Sequence, residues 1–117
     1  VALTCPLTPG TQGLIGAEAL RAVRPTALLV NVARGRVVDE PALIAALEAG
    51  RLAGAALDCF RDEPLDRASP LWGFSQVIVT PHTAGETRRY ESNVIDILLE
   101  NLGRLWSGRT DLRNQIV

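Results

Sequence analysis

Ala27-Leu28-Leu29-Val30-Asn31-Val32 runs directly into Ala33-Arg34-Gly35, and Asp39-Glu40-Pro41 follows a few residues later. The first six residues are almost continuously apolar and have the length of a strand. A run without polar alternation fits a strand of a parallel sheet, buried on both faces. Asp39 then has the chemistry of a helix N-cap, with Pro41 in the first turn. Leu43, Ile44 and Leu47 supply the buried stripe of that helix, and Gly50 its C-terminal stop.

The same alternation extends in both directions. Residues 1–4 read as a short buried strand ended by Pro6, and residues 8–13 carry turn chemistry. Residues 17–23 have helical spacing through Leu20 and Val23. Arg24-Pro25 stops that helix, because the residue before proline avoids the helical region. Residues 53–58 form another buried strand, 61–70 a loop rich in Asp, Pro and Arg, and 77–79 a fourth strand ended by Pro81. Thr83-x-x-Glu86 has the form of a capping box opening a long helix. Along it Val94, Leu98, Leu102 and Leu105 recur at helical spacing, widened by Ile95, Leu99 and Trp106, a stripe that reads as core, any exposed part of it being able to serve a dimer. Gly108 ends the helix and residues 109–117 form a tail. Strands alternating with helices imply an α/β fold with a parallel sheet and right-handed crossovers.

Composition narrows the functions. The chain has 117 residues, 47% hydrophobic and 21% charged, with 12 basic and 13 acidic side chains for a net charge of −1. That balance is globular and argues against nucleic acid or an anionic membrane as partner. All 12 basic residues are Arg, so neither a Schiff-base lysine nor a phosphate-loop lysine exists here. Two cysteines and one histidine are too few for a structural zinc site or a disulfide scaffold, and no metal is expected. There is no signal-peptide pattern, no apolar run long enough to span a bilayer and no Asn-x-Ser/Thr sequon, so the cytoplasm is the expected location. The sequence contains no Met and opens in mid-strand, which points to part of a longer protein.

In open parallel sheets, ligands bind beyond the carboxyl ends of the strands. Here those ends lead into Thr4-Cys5-Pro6, Val32-Ala33-Arg34-Gly35, Asp58 with Glu63 beyond it, and Pro81-His82. One Arg, two carboxylates and the single His therefore fall on one sheet edge. The set suits reduction of a carbonyl beside a carboxylate. Arg forks onto the carboxylate, and His passes a proton to the carbonyl oxygen. A carboxylate on the other ring nitrogen fixes the tautomer and favours the imidazolium. Position alone also allows blander roles: Arg34 as a surface arginine, His82 as a structural histidine, Glu63 as loop solvation, Asp58 as a turn former.

Four motifs in register decide between these readings. Asn31-Val32-Ala33-Arg34-Gly35 is followed by Val38-Asp39-Glu40. Gly54-Ala55-Ala56-Leu57-Asp58-x-Phe60-x-x-Glu63-Pro64 comes next, then Thr80-Pro81-His82-x-Ala84-Gly85. In order and spacing the chain resembles the D-isomer-specific 2-hydroxyacid dehydrogenases. The resemblance implies a Rossmann-like parallel sheet with flanking helices, residues 1–117 forming the C-terminal half of an NAD(P)-binding domain with its long last helix and tail. It implies Arg34 as the substrate-carboxylate arginine, His82 as the general acid/base and Glu63 as the acid paired with it. It implies Asp58 as the partner of the nicotinamide carboxamide. Cys5, Val32, Ala33, Arg34 and His82 would line the bound cofactor, NAD or NADP, and Ala84 and Gly85 the loop beside the nicotinamide. The substrate would be a small 2-oxo or 2-hydroxy acid, and the full-length protein a homodimer.

The family's G-x-G-x-x-G turn is absent. Gly10-x-x-Gly13-x-x-Gly16 has the wrong spacing and follows a loop, so it does not serve as a phosphate cradle. The isolated chain is accordingly expected to be inactive. The alternative function is an NAD-sensing, non-catalytic binding module of the same fold.

Overall fold

A computed structural model describes residues 1–116. Its elements are β1 (Ala2–Leu3), α1 (Ala17–Ala22), β2 (Leu28–Asn31), α2 (Glu40–Glu48), β3 (Gly54–Leu57), β4 (Val77–Val79) and α3 (Tyr90–Trp106). The four strands form one sheet in the order β1-β2-β3-β4, every neighbouring pair parallel. This is the α/β architecture that the alternating pattern implies. The first three strands are shorter than their apolar runs, and β4 coincides with its run. Short 3₁₀ turns at Gly35–Val37 and Pro70–Gly73 add to the elements read from the sequence.

The chain divides into two compact units, residues 1–84 and the segment from Gly85 onward. In the first, register sets the core. Leu29, Ala55 and Val77 lie side by side in one row, and Leu3, Asn31, Leu57 and Val79 in the next. These rows face a cluster that includes Leu20 of α1 and Leu43, Ala46 and Leu47 of α2. A fully buried leucine such as Leu43 contributes about 1.5–3 kcal/mol of transfer free energy. Asp39 caps α2 by accepting from the Ala42 N–H at 3.2 Å, and Gly50 adopts φ +63° just beyond its end. Ile44 is only half-buried, and Ala46 takes the place in the stripe expected for it.

The expectation that the central strands are buried on both faces is corrected. The opposite row, Ala2, Val30, Ala56 and Ile78, is half-buried or exposed, with Ile78 at 65%. Both helices of the first unit join the same core cluster, so one face takes all the cover they supply.

The second unit holds α3 and the tail. The capping box at Thr83 and Glu86 does not form: α3 begins at Tyr90, with Arg89 at the N-cap position and no side-chain cap. The Thr83 and Ala84 N–H groups are taken by Asp58 instead, which ties these residues to the end of β3. Nor is the α3 stripe core. No residue of the helix is buried, and Trp106 is 82% exposed, because one helix and a tail cannot enclose an apolar face. Gly108, at φ +78°, follows the end of α3. Charge pairs then fold the tail back along the helix. Arg104 bonds Glu100 and Asp111, and Arg113 bonds Glu100. Among the described residues no helix is long and apolar enough to cross a membrane.

Candidate active site

The loop after β2 is shaped by a buried amide. Asn31 is 1% exposed at the end of an apolar strand. Its Nδ2 donates to the Arg34 carbonyl at 3.2 Å, and its Oδ1 accepts from the Ala33 N–H at 3.1 Å. Both ends of the amide are thereby satisfied, as a buried polar group requires. The turn is closed further by Arg34 Nη1 on the Ala33 carbonyl at 2.6 Å. The Asn31 backbone carbonyl also accepts from the Asp58 N–H at 3.0 Å. Asn31 thus joins the loops after β2 and β3. Sequence reasoning assigns it no role; a polar residue inside an apolar run is the signal that marks it.

Gly35 follows, packed against the backbone of Phe60. Beyond Phe60 the chain turns so that Glu63 reaches back. Glu63 Oε1 accepts from the Phe60 N–H at 2.9 Å, and Oε2 lies 2.8 Å from His82 Nδ1. The peptide bond after Glu63, to Pro64, is cis. A carboxylate only accepts, so Nδ1 carries the hydrogen and Nε2 is the ring nitrogen available for proton exchange. His82 itself has φ +57°, in the left-handed region. A non-glycine residue there is held at a cost of about 1–3 kcal/mol, and such residues cluster at functional sites.

Arg34, Glu63 and His82 line one open cleft of about 220 Å³, together with Leu7, Gly35, Arg36, Phe60 and Arg61. On the other side of the Glu63–His82 pair lies a more apolar pocket of about 260 Å³, bounded by Leu65, Trp72 and Val79. Val32 is 42% exposed at the end of β2, Ala33 is buried and Cys5 is half-buried beyond β1. Ala84 is exposed, and Gly85 opens the second unit. Cys59 is buried, and burial, with the negative charges of Glu63 and Asp58, pushes its thiol up to about 11. At neutral pH it stays protonated and unreactive.

The two carboxyl groups are both lowered. The hydrogen bond from His82, then that from the Phe60 N–H, holds Glu63 below its ordinary 4.5. Burial pushes Asp58 upward, but hydrogen bonds from Thr80, Ala84 and Thr83 outweigh it and leave the group below its ordinary 3.8. A carboxyl lowered by folding contributes its full stabilisation above its unfolded value. That contribution is lost as pH falls through the lowered folded value. The urea midpoint is therefore expected to hold down to about pH 5 and to fall below about pH 4. Glu63→Gln removes one source of the fall, so its midpoint should decline less steeply with acid. A decline as steep as in the unmodified chain would exclude Glu63 from the effect.

Comparison with known proteins places the same segment in a family. A family model described as the NAD-binding domain of D-isomer specific 2-hydroxyacid dehydrogenases matches residues 1–84. A glyoxylate reductase of Korarchaeum cryptofilum is 43% identical over 87% of this chain and 31% of its own length. An (S)-sulfolactate dehydrogenase of Chromohalobacter salexigens is 45% identical over 89% of this chain and 34% of its own length. Among solved structures, a D-isomer specific 2-hydroxyacid dehydrogenase from Xanthobacter autotrophicus Py2, in complex with NADPH and MES, superposes with a TM-score of 0.89. The two are 44% identical, over all of this chain and 47% of that one. The chain spans about a third of the length of these curated relatives.

Proposed function

The chain belongs to the D-isomer specific 2-hydroxyacid dehydrogenase family, and from that premise we propose that its full gene product transfers a hydride between NAD(P) and a 2-hydroxy acid/2-oxo acid pair. Residues 1–117 form the C-terminal part of its NAD(P)-binding domain in this reading, and the protein works in the cytoplasm as a homodimer. The observation that carries it is the contact of His82 Nδ1 with Glu63 Oε2 at 2.8 Å, in the same cleft as Arg34.

The strand ends fit a nicotinamide. Val32 offers an exposed apolar surface at the end of β2, and Cys5 and Ala33 flank it. Asp58 Oδ2 accepts from the Ala84 N–H at 2.9 Å and has a second lone pair suited to a carboxamide N–H. Cys5, Val32, Ala33, Asp58 and Ala84 would hold the cofactor, with Arg34 and His82 at its substrate side. When bound, the cofactor supplies or takes up the hydride.

The protein's own groups handle charge and proton. Arg34 presents a guanidinium fork to the substrate carboxylate, which fixes the 2-oxo carbon in place. In reduction, His82 donates its Nε2 proton to the carbonyl oxygen; in oxidation, Nε2 takes the proton from the hydroxyl. Glu63 holds the ring through Nδ1–H.

The test is reduction of glyoxylate and hydroxypyruvate by the full gene product with NADH or NADPH, followed at the cofactor absorbance. A protein that binds NAD(H) and a protein partner yet reduces neither acid would instead be the sensing module. The 117-residue chain alone is expected to bind NAD(H) weakly or not at all, and calorimetry giving a Kd below about 1 μM, a binding free energy beyond about −8 kcal/mol, would overturn that.

A further inference from the structure

Asp58 is 4% exposed at the end of β3, and its carboxylate is almost wholly occupied by the segment that carries His82. Oδ1 accepts from the Thr80 hydroxyl at 2.5 Å and from the Thr83 N–H at 2.9 Å. Oδ2 accepts from the Ala84 N–H at 2.9 Å. These three donors bracket His82, two residues before it and one and two residues after it. The bracketed residue is the one with φ +57°.

A single carboxylate that binds both sides of a left-handed residue fixes its backbone more firmly than its own preference would. We propose that Asp58 is a positioning residue: by gripping Thr80, Thr83 and Ala84 it holds His82 in the left-handed conformation that sets the imidazole against Glu63. The inference rests on the proposed dehydrogenase reading for its catalytic consequence, and on geometry alone for the grip. It is distinct from any contact of Asp58 with the cofactor, which would use only the remaining lone pair of Oδ2.

The grip has a physical logic. The Thr83 and Ala84 N–H groups both donate to this one carboxylate, an ionised acceptor and so a strong one. The Thr80 hydroxyl adds a third bond from the other side, so the turn cannot rotate about either flank without breaking one. Glu63 restrains the ring of His82, whereas Asp58 restrains the main chain that bears it.

The experiment compares Asp58→Asn, Thr80→Val and Thr80→Ser in the full gene product, with two readouts. The first is backbone amide exchange at Thr83 and Ala84 without cofactor. The second is the split between kcat and the KM for NAD(P)H at saturating 2-oxo acid. Asn turns a donor toward one of the gripping donors. Its kcat is expected to fall about 100-fold, the scale on which a displacement of about 1 Å is felt at a reacting group. Exchange at Thr83 and Ala84 should quicken in the same variant. Thr80→Val, which removes one donor and keeps the carboxylate, should move both readouts the same way by less, and Thr80→Ser should restore both.

A raised KM for NAD(P)H in Asp58→Asn, with kcat and amide exchange unchanged, would reduce Asp58 to a cofactor ligand and overturn the proposal. So would unchanged kcat and unchanged exchange in Thr80→Val. If the unmodified gene product reduces no 2-oxo acid, the dehydrogenase reading fails, while the exchange comparison still decides whether the grip exists.

Discussion

Replacing His82 by Ala is expected to lower kcat of the full gene product by about 10²–10⁴-fold, the range supplied by a positioned acid/base. Glu63 fixes Nδ1 as a donor at 2.8 Å, so only Nε2 can exchange a proton with the substrate oxygen. Without the ring, the alkoxide formed at that oxygen has no proton source but water. The KM for the 2-oxo acid should change far less, because in the proposed mechanism Arg34 holds the carboxylate from the loop after β2. A fall in kcat and kcat/KM together is the signature of an interaction made only in the transition state. Steady-state kinetics across substrate concentration separates the two, and an unchanged kcat would remove His82 from the mechanism.

Replacing Gly35 by Ala is the second large effect, and it reaches the site through packing. A Cβ at this position would stand 1.9 Å from both the carbonyl carbon and oxygen of Phe60, and 2.5 Å from the Arg61 nitrogen. The obstructing atoms are backbone, so no side-chain rotation relieves the clash. Either the Arg34 turn or the Phe60 segment must move. Overpacking in a well-packed region usually costs about 1–3 kcal/mol, and a clash with backbone belongs at the upper end. Activity should suffer more than stability. Arg34 precedes Gly35 directly, and the Phe60 N–H holds Glu63, so either displacement pulls one half of the cleft away from the other. A drop in kcat/KM of about 100-fold or more is expected alongside a lowered urea midpoint. Wild-type kcat/KM in a folded Gly35→Ala protein would show that the close approach has no bearing on the site.

Gly54 provides the contrast. A Cβ there would meet the Gln76 carbonyl at 2.5 Å, a clash as firmly backbone as the other. It lies at the start of β3, at the opposite end of the strand from Asp58. Gly54→Ala should therefore lower the urea midpoint while the folded fraction keeps its kcat/KM.

The sequence makes the parallel sheet legible because its strands are short apolar runs bounded by Pro, Gly and Asp, which are local signals. The rule that ligands gather at carboxyl strand ends likewise brings Arg34, Asp58, Glu63 and His82 to one edge before any coordinates are considered. What stays hidden depends on partners distant in the chain. Thr83 and Glu86 satisfy the capping-box pattern, yet the Thr83 N–H bonds an oxygen 25 residues earlier, and α3 starts at Tyr90. Leu28 and Ile78 are as apolar as Leu29 and Leu57, and only the placement of α1 and α2 on one face decides which of them are covered. Asn31 looks like an interruption of its strand. Its importance emerges only from two bonds that close the turn after it. The contact between Glu63 and His82 depends on the path of residues 58–63, which no periodicity encodes.

The two halves of the cleft are held by different kinds of chemistry. The Arg34 turn hangs on a neutral amide, which bonds the same way at any pH, whereas the His82 turn hangs on two carboxylates, Asp58 and Glu63. Acid therefore acts on the cleft as a one-sided solvent. Below the titration range of those carboxylates the Arg34 half keeps its shape, and the His82 half loses its charged anchors. On lowering the pH, amide exchange should quicken at Thr83 and Ala84 before it does at Ala33.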